Sequence, residues 1–253
     1  ALEASQDRLL EKQLFRRLGI PTAPIDEEVT SFPALLKDRR LGYDGKGQRL
    51  VKTRPGPAPG HVQSEHVLEG LVPFDRELSL IAVRGAGAET AFYPLIENVH
   101  SEGILRSSRS PAAHAPQMVA EDYATRLLDE LGYVGVLALE LFDVGGELLA
   151  NELAPRVHNT GHWTIEGAET SQFENHLRAI LGFPLGSTAA RDEVVMLNLI
   201  GELPDPAALL AHGARLHLYG KEPRPGRKLG HVTLLDSTPE TVRAVNDLVS
   251  KQH

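Results

Sequence analysis

Cysteine is absent from the 253 residues. That excludes disulfide staples, thiolate chemistry and cysteine-ligated zinc. No apolar run approaches the roughly 18–20 residues that a bilayer span requires. The opening stretch, ALEASQDRLLEKQLF, reads as a charged amphipathic helix and not as a signal peptide. Internal repeats and low-complexity tracts are missing too. The nearest approach is TRPGPAPG at 53–60, a surface-loop pattern. Positive charge is in deficit: the formal net charge is −8, which argues against general nucleic-acid binding. It leaves room for an anionic substrate wherever basic residues gather locally. With 42% hydrophobic and 24% charged residues, the remaining composition is that of an ordinary globular protein with one large or two smaller domains.

The stretch richest in chemistry is ELFDVGGELLANELAPRVHNTGH, residues 140–162. LALELFDV reads as a strand, Gly145–Gly146 as a hairpin turn and ELLANELA as the returning strand. Glu140 and Glu152 then lie opposite each other across the pair. Two like carboxylates in a mostly apolar hairpin are unfavourable unless a cation joins them. A hard divalent ion such as Mg²⁺ suits such ligands and bridges to substrate phosphates. Taken alone, the spacing also fits a solvated hairpin with two unrelated acids.

Along the chain, Leu9, Leu10, Leu14 and Leu18 mark a helix over 5–18. PALLK (33–37) and RLVK are short strands about the glycine-rich turn LGYDGKGQ (41–48). EHVLEGLVPF (65–74) is a strand running into a linker. ELSLIAVRG (77–85) and AFYPLIENVH (91–100) are two strands of a second sheet. Helices are expected over 116–131 and 163–181. VVMLNLIG, RLHLYG and HVTLL follow as strands, PAALLAHG and PETVRAVNDLVSKQ as helices, and KEPRPGRK as a basic turn. Strands and helices mix without regular alternation, which favours an α+β architecture with antiparallel sheet. A small domain over 22–70 is expected to hinge on a larger one over 71–253.

Other groups join the candidate site. Gly42, Gly45 and Gly47 let a backbone approach phosphate oxygens, and Lys46 adds charge, although glycine is also the default residue of a plain turn. Lys37 ends a strand nearby. Glu69 and Glu77 flank a linker able to meet a purine edge and ribose hydroxyls. Arg156, His158 and Asn159 follow the second acid directly: arginine forks onto carboxylate or phosphate, and histidine moves protons near neutrality. Lys221, Arg224, Arg227 and Lys228 crowd one turn, as a phosphate clamp or as a solvated face.

Taken together, QDRLLEKQLF, KDRRLGYDGKGQ, FDRELSLIAVR, YPLIENVHSEGILRSSRSPA, NELAPRVHNTGHWTIEG and YGKEPRPGRKLGH resemble, in order, the ATP-grasp 5-(carboxyamino)imidazole ribonucleotide synthases. The resemblance implies a small lid domain and a larger domain with helices flanking an antiparallel sheet. It implies ATP- and bicarbonate-dependent carboxylation of 5-aminoimidazole ribonucleotide through carboxyphosphate, with ATP and Mg²⁺ as cofactors, in a cytoplasmic homodimer. By the same resemblance, Arg8 and Lys37 contact ATP phosphates, and Gly42, Tyr43, Asp44, Gly45, Lys46, Gly47 and Gln48 form the loop over the γ-phosphate. Glu69 holds adenine and Glu77 the ribose. Glu140 and Glu152 ligate magnesium beside Asn151. Arg156, His158 and Asn159 act on carboxyphosphate and the amine, while Arg84, Lys221, Arg227 and Lys228 bind the ribonucleotide. Members of the family begin with a dinucleotide-fold domain, and residues 1–21 read as the helix leading out of it. The connector between Pro24 and Lys37 looks shorter than usual for the family. An ATP-binding module without turnover, and a formate-using ATP-grasp transformylase, are the competing readings.

Overall fold

The computed structural model describes residues 1–42, 46–55 and 65–250. Two sheets organise it. The smaller has the order β2-β1-β3, built from β1 (Ala34–Asp38), β2 (Gln48–Val51) and β3 (His66–Gly70). The larger has nine strands: β4 (Arg76–Arg84), β5 (Thr90–Phe92), β6 (Ile96–Ser101), β7 (Ile104–Ser110), β8 (Gly135–Val144), β9 (Glu147–Ala154), β10 (Val194–Ile200), β11 (Arg215–Leu218) and β12 (Lys228–Leu235). Its path runs β11-β12-β10-β7-β6-β4-β8-β9, with β5 paired to β4. Every ladder among the described residues is antiparallel, as the irregular mixing of strands and helices predicts.

Helices α1 (Leu2–Ser5), α2 (Arg8–Arg17), α3 (Gln117–Leu131), α4 (Thr164–Gly167), α5 (Gln172–Ile180), α6 (Pro206–Ala211) and α7 (Pro239–Ser250) cover the large sheet. The strand period of two divides its centre between two cores. Leu78, Leu80, Leu137 and Leu139 face Leu127 and Leu128 of α3 and Phe15 of α2. Ile81, Val83, Val136 and Ala138 face Trp163 and Ala179 of α5. Both faces of β8 are therefore dry over Gly135–Leu139, and its sequence there is a continuous small and apolar run. Among the described residues no helix is long and apolar enough to cross a membrane.

Four details depart from the sequence reading. The helix over 5–18 is two helices, because Asp7 caps α2 by accepting from Leu9 N at 3.1 Å. The stretch 91–100 is two strands: Pro94 has no N–H for a ladder, and Leu95 N donates instead to Gln117 Oε1 at 2.7 Å. The helix over 163–181 breaks between α4 and α5, where Ala168 is extended and bridges Ala190, and Ser171 Oγ caps α5 at Glu174 N. Strand β7 was missed, since its polar ILRSSRS offers little hydrophobic signal.

Residues 20–25 tie the two sheets together. Ala150 N donates to Pro21 O at 2.7 Å, and Gly70 N to Pro24 O at 2.9 Å. Strand β9 and strand β3 thus stand on either side of one short connector.

Helix α4 sits tightly on the sheet because Gly167 has no Cβ. An added Cβ would lie 2.9 Å from Trp163 Cε3 and closer still to Val194 Cγ2. Gly167→Ala is expected to cost about 1–3 kcal/mol by overpacking, measured by denaturant unfolding; an unchanged midpoint would show that the helix shifts freely.

Candidate functional site

A cleft of about 870 Å³ opens between the small sheet and the β8–β9 hairpin. Its floor is the acid pair. Glu140 and Glu152 are direct register partners, and the register shifts immediately afterwards, so that Leu141 pairs with Ala150. Asn151 is the extra residue of this bulge, a feature that re-aims side chains and recurs beside active sites. Asn151 Oδ1 is buried without a hydrogen-bond partner, and the side chains of Glu140, Asn151 and Glu152 all line the cleft. Two carboxylates with one unsatisfied amide oxygen suit a hard divalent ion that completes its shell with water and phosphate. Among the described residues no group of three or more His, Asp or Glu forms a fuller metal cage.

One cation and one imidazole already stand against this pair. Arg8 of α2 ion-pairs with Glu152. His158 Nε2 lies 3.4 Å from Glu140 Oε1. Burial, then the charge of Glu152, pushes the Glu140 carboxyl up to about 7. Behind them, α2 turns two ionisable residues into the protein. Glu11 Oε1 accepts from Leu153 N at 2.6 Å, and burial beside Glu152 pushes its carboxyl up to about 8. Lys12, 2% exposed, donates to Asn151 O at 2.9 Å and lies 3.3 Å from Glu69 Oε2. Glu69 also receives Lys37 Nζ at 2.7 Å. Burial alone would raise the Glu69 carboxyl, but Lys12 and Lys37 together hold it below its ordinary value.

On the opposite wall, Glu77 of β4 pairs with His100 Nδ1. Burial works to lower His100, but this carboxylate outweighs it and raises the imidazole above its ordinary value. The loop after β9 brings Arg156, His158 and Asn159 into the cleft. Gln172, fully buried, grips both main-chain groups of His158: its Oε1 accepts from His158 N at 3.0 Å and its Nε2 donates to His158 O at 2.6 Å. Burial, with Arg156 and Lys228 nearby, lowers His158 to about 3, so the ring is neutral near pH 7. Nδ1 lies 2.9 Å from Thr160 Oγ1, and Nε2 faces Glu140. Both polar side-chain atoms of Asn159 are buried and unpartnered.

Most of the sequence-predicted residues meet here: Arg8, Lys37, Gly42, Gln48, Glu69, Glu77, Glu140, Asn151, Glu152, Arg156, His158, Asn159 and Lys228 all line the cleft. Lys46 and Gly47 sit at its edge on the turn entering β2, with Gly47 at φ +71°. Tyr43, Asp44 and Gly45 lie outside the described residues. Arg84 is a correction. It stands at the far end of β4 and donates to Leu128 O at 2.6 Å, 3.4 Å from Asp129. The negative end of α3 accounts for that placement. Lys221 and Arg227 are outside the cleft lining, on the adjoining turn: Lys221 lies over the Tyr219 ring, and Arg227 donates to Glu222 O at 3.2 Å. Sequence reasoning missed Glu11, Lys12, His100 and Gln172. Glu11 and Lys12 carried a signal, since they share a helical stripe with Leu14 and Phe15; Gln172 carried none.

Comparison with known proteins gives a consistent result. Residues 23–173 match the ATP-grasp domain family, and residues 194–245 match the phosphoribosylaminoimidazole carboxylase C-terminal domain. The chain is 49% identical to an N5-carboxyaminoimidazole ribonucleotide synthase of Pseudomonas aeruginosa, over 96% of this chain and 72% of that protein. It is similar to the crystal structure of the N5-carboxyaminoimidazole ribonucleotide synthetase of Thermus thermophilus, with a TM-score of 0.89, 54% identity, and 98% of this chain and 74% of that one covered. A more distant similarity, with a TM-score of 0.82 and 28% identity over 99% of this chain and 74% of the other, is to the Aspergillus clavatus N5-carboxyaminoimidazole synthase in complex with ADP and 5-aminoimidazole ribonucleotide.

The acid pair makes a prediction about stability. A raised carboxyl favours the folded state while protonated; that contribution is complete below its unfolded value of 4.5 and is lost as pH rises through about 7. In metal-free protein, Glu140→Gln should therefore gain stability over the parent by on the order of 2–3 kcal/mol between about pH 5 and about pH 8. Paired denaturation curves measure this. A difference that ignores pH would mean the two acids do not share one site.

Proposed function

Because this chain belongs to the N5-carboxyaminoimidazole ribonucleotide synthase family of ATP-grasp enzymes, we propose how its cleft divides the family's reaction among named residues. The reaction is the ATP- and bicarbonate-dependent formation of N5-carboxyaminoimidazole ribonucleotide from 5-aminoimidazole ribonucleotide, by an ATP-dependent ligase of purine biosynthesis. One observation carries the assignment of residues: the head-on pairing of Glu140 with Glu152 on the cleft floor.

The nucleotide lies between the two sheets. Glu69 and the backbone after it meet adenine, and Glu77 takes the ribose. Arg8 and Lys37 take the phosphates. In the free protein each of these cations is parked on an acid, Arg8 on Glu152 and Lys37 on Glu69, and an incoming polyphosphate competes for both. Glu140 and Glu152, with Asn151 beside them, hold Mg²⁺. When bound, that ion supplies charge neutralisation of the β- and γ-phosphates. Residues 22–70 act as a lid, and the turn from Gly42 to Gln48 covers the γ-phosphate.

Bicarbonate oxygen takes the γ-phosphoryl group and ADP leaves, giving carboxyphosphate. The exocyclic amine then attacks its carboxyl carbon: the C–N bond forms, the C–O bond to phosphate breaks, and the amine gives up a proton. Arg156 offers a fixed positive charge to the departing phosphate. Neutral His158 and the two unpartnered ends of Asn159 orient the carboxyl group and the amine. Lys221, Arg227 and Lys228 attract the ribonucleotide phosphate from the adjoining turn. Little covalent chemistry is asked of the protein; it supplies positioning, charge and exclusion of water from a hydrolysable intermediate.

A cytoplasmic homodimer completes the proposal. Leu177, Ile180, Leu181 and Phe183 are 55%, 53%, 63% and 57% exposed on and just after α5, an apolar face suited to a second copy.

Three experiments test this. Phosphate release from ATP should require both bicarbonate and 5-aminoimidazole ribonucleotide, and Glu152→Gln should lower kcat by about two orders of magnitude with the fold retained. An unaffected Glu152→Gln rate, or formate-dependent turnover of glycinamide ribonucleotide, would contradict the assignment. In sedimentation velocity, Leu181→Glu should convert a dimer to a monomer; a dimer that survives the change does not use this face.

A further inference from the structure

Beneath the basic turn lies a cluster that the reaction above does not use. Tyr219 follows β11, and its N–H donates to Leu229 O at 2.9 Å, closing the base of the turn 220–228. Its hydroxyl lies 2.9 Å from His162 Nδ1 and 2.7 Å from His231 Nδ1. Its ring carries Lys221 Nζ at 5.3 Å from the centroid. His162 belongs to the segment that has just left His158 and Asn159, while His231 is three residues beyond Lys228 on β12. One phenol therefore touches the carboxyphosphate loop, the strand carrying Lys228 and the turn carrying Lys221.

The remaining contacts leave the arrangement little freedom. His231 is 1% exposed and its Nε2 has no hydrogen-bond partner, so Tyr219 supplies its hydrogen bond. The His231 ring stacks on His217 at 4.6 Å, and His217 Nε2 in turn holds Glu166 of α4 at 2.5 Å. Burial lowers His162 to about 4 and His231 to about 3, so both rings are neutral near pH 7. A hydroxyl between two neutral imidazoles donates to one and accepts from the other.

We propose that Tyr219 is a positioning residue for the ribonucleotide: its hydroxyl clasps His162 to His231 and so fixes the basic turn against the loop that carries His158. This rests on the reading of that turn as the ribonucleotide's phosphate site. The nucleotide half of the cleft, built from α2, β3 and β9, is not touched by the clasp.

Steady-state kinetics with varied 5-aminoimidazole ribonucleotide test it, beside calorimetry with a non-hydrolysable ATP analogue. Tyr219→Phe removes one oxygen, and should raise KM for the ribonucleotide about fivefold to tenfold while analogue affinity stays within about twofold. His231→Asn keeps a polar atom near the Nδ1 position and should retain most of the parental KM, whereas His231→Leu should behave like Tyr219→Phe. An unchanged KM in Tyr219→Phe, or equal losses of analogue affinity and melting temperature in all three variants, would overturn the clasp. Absence of any ribonucleotide-stimulated turnover in the parent would overturn the reading of the site and the clasp with it.

Discussion

Two carboxylates facing each other across an antiparallel ladder repel, and the protein has built its cleft around that repulsion. Glu140 and Glu152 occupy one register position with apolar strand on either side. Burial strengthens the conflict, because little water remains to screen it. The raised Glu140 carboxyl is the local sign of this cost. A cation removes it: Arg8 ion-pairs with Glu152, while the neutral His158 ring stands within 3.4 Å of Glu140.

The same logic extends to the walls. Lys12 reaches from α2 to the β9 backbone and to Glu69 of the small sheet. A single buried ammonium therefore joins β9, which bears Glu152, to β3 of the small sheet. Buried pairs of this kind add little net stability, yet breaking one leaves an uncompensated charge. Their effect is to fix geometry. Lys12 links the floor, β3 and α2 through static contacts, while Gln172 holds His158 with two neutral hydrogen bonds. Fixed donors and charges of this sort are what phosphoryl transfer requires of a protein.

Much of this was legible in the sequence, for physical reasons. The Gly-Gly turn set the hairpin register, and register set the pairing of Glu140 with Glu152. Alternation and turn residues marked the strands in outline, with β5 and β6 merged into one, but β7 escaped because ILRSSRS is polar and sits between better-marked neighbours. The break between α4 and α5 escaped because Ser171 starts a helix inside a stretch whose composition remains helical. Arg84 misled because a strand residue's place along the strand decides which end of the sheet it serves, and Arg84 ends β4 at α3 while Glu77 begins it at the cleft. Gln172 and Tyr219 were invisible as functional residues: their roles consist of long-range contacts that no local pattern encodes.

The proposed catalysis requires one cation bound between two opposed acids. Crystals grown with Mn²⁺ and a non-hydrolysable ATP analogue test that directly through anomalous scattering. The expected result is a peak about 2.1–2.3 Å from a carboxylate oxygen of Glu140 and of Glu152, with analogue phosphate oxygens completing the shell. A metal peak held by phosphates alone, with either glutamate turned away, would contradict it.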